Sequence, residues 1–135
     1  MDQHEHGRDF CESVYPLDGA GGSVRAALEH TRVFLRGCSP HLGLRMAQDL
    51  ELVVVELVSN AVRHAPGPLT LTLSCDEYIE VAVTDTSTAV PTAREPDLGA
   101  GGGFGWHLIT ALADPVEVRL APPYGKTISA VITLH

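Results

Sequence analysis

At 135 residues, 44% of them hydrophobic and 19% charged, the chain is long enough to bury one core without staples and is composed like an ordinary globular domain. A formal net charge of −8 at pH 7 argues against nucleic acid or an anionic membrane as main partner, since both select basic surfaces. No apolar run approaches the ~20 residues of a membrane span, and Cys11, Cys38 and Cys75 are too widely spaced for a disulfide framework or a zinc site, so a reducing cytoplasm is the expected location.

Residues 1–9 read as a mobile polar leader, with His4 and His6 on its surface, and residues 10–135 as a single domain. Phe10 to Leu17 alternates like a first strand, ended by Pro16 and Asp18. Gly19 to Gly22 make a turn, and Ser23 is the expected N-cap of an amphipathic helix that stops at Gly37. A long central helix follows from about Gly43 to His64, closed by Pro66-Gly67-Pro68. Met46, Leu50, Val53, Val54, Leu57, Val58 and Ala61 form its apolar stripe, with Glu56, Asn60 and Arg63 along the edge. Glu56 and Asn60 are one turn apart, so a carboxylate and a carboxamide stand side by side at the rim of a buried face. That pair suits a base and an oxygen ligand for a hard cation. Equally, Glu56 can pair with Arg63 on a solvated face.

Leu69, Leu71, Leu73 and Cys75 alternate with small polar residues as a second strand, and Asp76-Glu77 is a turn. In the strand after it Ile79, Val81 and Val83 share one face, and the same alternation puts Asp85 there too. A carboxylate ending an inward apolar row is costly without a partner. Asp85 is either a capped strand end or an acceptor waiting for a donor on a ligand that enters the core. From Thr86 to Gly103 there is no periodicity, which suggests a lid or binding loop. It leads into a short helix from Trp106 to Ala113. Glycines before a helix N-terminus make an anion site of free amides plus dipole, or merely a flexible connector. Val116 to Leu120 and Thr127 to Leu134 are the closing strands.

Two familiar nucleotide motifs fail. Gly125-Lys126-Thr127 looks like the end of a P-loop, but Leu120 stands where its first glycine is required. The glycine cluster has no G-x-G-x-x-G match, because the sixth position falls on Phe104 or Trp106.

The order of parts nevertheless resembles one family. Glu56-Leu57-Val58-Ser59-Asn60-Ala61-Val62-Arg63-His64 is similar to the N box of the GHKL (Bergerat-fold) ATP-binding domain, and within it to the anti-sigma-factor serine kinases of the RsbW type. Asp85-Thr86-Ser87 resembles the family's adenine-binding D-x-G box in part, Gly102-Gly103-Phe104-Gly105 its second glycine box, and Gly125-Lys126-Thr127 its closing G-x-T element. The fold expected is an α/β two-layer sandwich, a mixed and mainly antiparallel sheet with three main helices on one face.

The resemblance implies ATP and Mg²⁺ as cofactors. Asp85 would accept from the adenine amino group, Asn60 would hold Mg²⁺, and Glu56 would take the proton from an attacking hydroxyl. Gly101, Gly102, Gly103, Phe104 and Gly105 would cradle the phosphates, Thr127 would bond near the adenine, and Arg63 or His64 would face the phosphates, unless His64 caps the helix C-terminus. The function implied is a serine/threonine protein kinase that sequesters a sigma factor and phosphorylates an anti-anti-sigma antagonist. A homodimer is expected, with neither nucleic acid nor membrane as direct partner. Ser87 stands where the family has glycine and Ala89 where it often has another, and a β-carbon there narrows the adenine slot. The alternative is therefore a non-catalytic sequestering protein with nucleotide as a weak or structural ligand, and third comes a histidine-kinase-type catalytic domain. With only one amphipathic helix ahead of the central one, a free-standing switch protein is expected before a sensor kinase.

Overall fold

Apolar alternation at period two builds the sheet. β2 (Leu69–Cys75) buries Leu69, Leu71, Leu73 and Cys75 while Thr70, Thr72 and Ser74 lie half-exposed on the other face. β1 (Cys11–Leu17) and β3 (Tyr78–Asp85) flank it, and β4 (Val116–Leu120) and β5 (Lys126–Thr133) complete the order β1-β2-β3-β5-β4. Every pairing among these five is antiparallel, so the mainly antiparallel expectation holds in its strict form. The computed structural model describes residues 11–38, 41–64, 67–86, 108–120 and 125–133. The proposed leader at 1–9 lies outside them.

Helical periodicity builds the covering layer. α1 (Ser23–Cys38) buries Ala27, Thr31, Phe34 and Leu35. α2 (Leu44–His64) buries Leu50, Val53, Val54, Leu57, Val58 and Ala61, the stripe read from the sequence. A third, short helical segment at 108–112, α3, adds Ile109. The inner sides of the sheet and all three helices share one core. Each fully buried leucine in it contributes ~1.5–3 kcal/mol through apolar area removed from water. Among the described residues no helix is long and apolar enough to cross a membrane.

The start of α1 differs from expectation. Gly22, not Ser23, supplies the first capping carbonyl, accepting from the Ala26 amide at 3.0 Å. The Ser23 hydroxyl instead donates to Asp18 Oδ1 at 3.2 Å, and that same oxygen accepts from the Ala20 amide at 2.8 Å. Asp18 thus organises the turn, and a serine pointed back toward it cannot cap its own helix. Gly19 in this turn has a φ of 78°, and a β-carbon on it would overlap the Gly67 carbonyl oxygen. The turn before α1 therefore rests on the one after α2. Arg32 of α1 grips Glu51 of α2 through two hydrogen bonds of 3.1 Å, and Tyr15 of β1 stacks on His30 of α1 with centroids 4.2 Å apart.

Candidate functional site

A buried ion pair sits where β3 ends and β5 begins. Alternation along β3 carries Asp85 inward after Ile79, Val81 and Val83, and alternation along β5 carries Lys126 inward ahead of Ile128, Ala130 and Ile132. The antiparallel register sets Asp85 directly opposite Lys126. The Lys126 ammonium donates to both carboxylate oxygens, at 3.1 Å to Oδ1 and 2.9 Å to Oδ2. The side chains are 2% and 1% exposed for Lys126 and Asp85 respectively. Gly125, with a φ of 107°, turns the chain into β5 immediately before the lysine. Asp85 is thus buried as read, and a donor from its own chain already meets it. Charge-assisted bonds of this kind are the strong ones, and removing either partner would strand the other ion.

Lys126 is the residue that sequence reading missed. A signal was present, because it precedes Ile128, Ala130 and Ile132 at the same two-residue spacing that placed Asp85. Its neighbour Thr127 faces the other way: its hydroxyl lies 2.8 Å from that of Thr84, across the sheet from Asp85.

α2 packs on β3 and β5 and brings the second group of candidates to the same layer. Glu56 and Asn60 are both half-buried on the flank of its core stripe, while Arg63 and His64 are exposed in its last turn, where cations complement the helix dipole. Among the described residues Glu56 has no ion-pair partner, so pairing with Arg63 is not what holds it. The described residues contain no cluster of three or more histidine, cysteine or acidic side chains able to cage a metal. A site built on Asn60 would suit Mg²⁺, which keeps several waters and takes one or two protein ligands beside substrate phosphates. For a purine the fit is conditional. A carboxylate has about four lone-pair positions, and Lys126 contacts both oxygens. Gly101, Gly102, Gly103, Phe104 and Gly105, like Ser87 and Ala89, lie outside the described residues.

Residues 22–132 match the histidine kinase-like ATPase domain family. The chain belongs to that family. As a histidine kinase-like ATPase domain, it is similar to the anti-sigma-F factor RsbW of Mycobacterium tuberculosis in two strains, CDC 1551 / Oshkosh and H37Rv. Each is 32% identical to it over 129 residues, which span 87% of this chain and 75% of the relative. Its fold resembles a crystal structure of the RsbU and RsbW domains of a Mycobacterium tuberculosis protein, with a TM-score of 0.66 and 17% identity over 92% of this chain. The domain spans 32% of that solved chain, and at this identity the likeness concerns fold alone.

Proposed function

We propose that this domain is an ATP- and Mg²⁺-dependent serine/threonine protein kinase acting as a cytoplasmic anti-sigma factor. It holds a sigma factor and phosphorylates a serine or threonine of an anti-anti-sigma antagonist, as a homodimer that uses neither nucleic acid nor membrane. One observation carries the reading. Glu56 and Asn60 stand one turn apart, half-exposed and without ion pairs among the described residues, on the helix that packs against the strands of Asp85 and Lys126. The kinship with anti-sigma-F factors supports a sigma factor as partner.

In this reading Asp85 accepts from the adenine amino group. Asn60 presents its carboxamide oxygen to Mg²⁺, which when bound neutralises charge on the phosphates. Glu56 takes the proton of the attacking hydroxyl as that oxygen bonds to the transferred phosphorus and the bond from phosphorus to the departing ADP oxygen breaks. Arg63 or His64 faces the phosphates, and amides from Gly101 to Gly105 cradle them. Thr127, on the outer face with Thr84, points away from Asp85.

Glu56→Gln keeps the hydrogen-bonding shape but cannot take a proton. Radiolabelled transfer from ATP to a candidate antagonist should fall by ~10²–10⁴, while ATP binding and partner capture persist. Full transfer by this variant would remove Glu56 from the mechanism. A second reading, a sequestering protein that transfers no phosphate, is favoured by the Asp85–Lys126 pair, which satisfies the carboxylate without any nucleotide. Wild-type protein that captures its partner yet labels no antagonist would establish that second reading.

A further inference from the structure

We infer that Lys126 is an internal competitor for Asp85, which occupies the carboxylate in the nucleotide-free protein and sets a low affinity for the purine. This rests on the nucleotide reading above and adds a residue that the reading does not need. Both donors meet an ionised acceptor, but the adenine amino group is neutral, whereas the ammonium adds a full positive charge and so holds the carboxylate more strongly. Lys126 contacts both oxygens, at 2.9 and 3.1 Å, so a base edge meets a carboxylate with no oxygen to itself. The carboxylate is 1% exposed, so the base also has to displace what covers it to reach it. Register and turn hold the lysine there: Asp85 and Lys126 are directly opposed, and Gly125 fixes the entry into β5. A purely structural tie would explain the pair less well. Beyond this position β3 and β5 are joined through paired residues from Thr84↔Thr127 to Tyr78↔Thr133, and buried ion pairs are often replaceable by apolar residues without loss of stability.

The test is calorimetric titration of the full chain with ATP and Mg²⁺, comparing wild type with Lys126→Thr, a small neutral replacement. Lys126→Gln, which retains one neutral donor, serves as the second variant if the threonine protein does not fold by far-UV circular dichroism. The variant should unfold at lower temperature without ligand, yet bind ATP about tenfold more tightly or better, since the charged rival has been removed or exchanged for a neutral one. If wild type binds ATP and the folded variant binds it equally or more weakly, Lys126 is not a competitor, and the nucleotide reading stands without it. If neither protein binds ATP, both the competitor role and the nucleotide reading fall.

Discussion

Asn60 has no described polar partner to lose, and its side chain is half-exposed beside Glu56. Asn60→Ala is therefore expected to keep unfolding free energy within ~1 kcal/mol of wild type while abolishing the Mg²⁺ dependence of ATP binding. Titrations in Mg²⁺ and in chelator check this, and an unchanged Mg²⁺ response would take Asn60 out of the site. The inward course of Asp85 was legible from alternation alone, because a strand's period of two leaves little choice once Ile79, Val81 and Val83 are core. Its partner was not legible. Lysine is almost never fully buried unless paired, and a last strand begun at Thr127 starts one residue late and leaves Lys126 out of it. That single step decides which of two neighbours faces Asp85. Thr127 received the adenine role on resemblance, whereas the residue opposite the carboxylate is Lys126.

Among the elements, helical and strand periods in the sequence located α1, α2 and all five strands to within a residue or two. What they could not reveal was adjacency. β5 lies between β3 and β4, a neighbour relation set by long-range pairing rather than by any local signal. The contact of Gly19 with Gly67 is of the same kind, since it joins two turns far apart in sequence. It yields a prediction at this scale. Gly19→Ala places a methyl group into a backbone carbonyl at a positive φ and should cost ~2 kcal/mol or more in denaturant unfolding. Gly37→Ala, inside α1 with open space around it, should be neutral or stabilising by up to ~1 kcal/mol. Equal effects at the two glycines would remove the turn-to-turn contact as a determinant.

At the scale of the molecule, one continuous core among the described residues joins β1 to β5 with all three helices. Thermal unfolding should accordingly be a single transition, with equal calorimetric and van't Hoff enthalpies and coincident near- and far-UV signals. Two resolved transitions would contradict the reading of residues 10–135 as one domain. The placing of β5 also has a bearing on biosynthesis. This strand is the last described one to leave the ribosome, yet it fills an interior position of the sheet. Until it emerges, β3 presents an unpaired edge and Asp85 lacks Lys126, so the carboxylate stays hydrated as an ordinary surface charge. Its dehydration waits for the step that closes the sheet. The nascent chain thus completes the acidic end of β3 only once β5 has emerged, after both long helices have been available to pack.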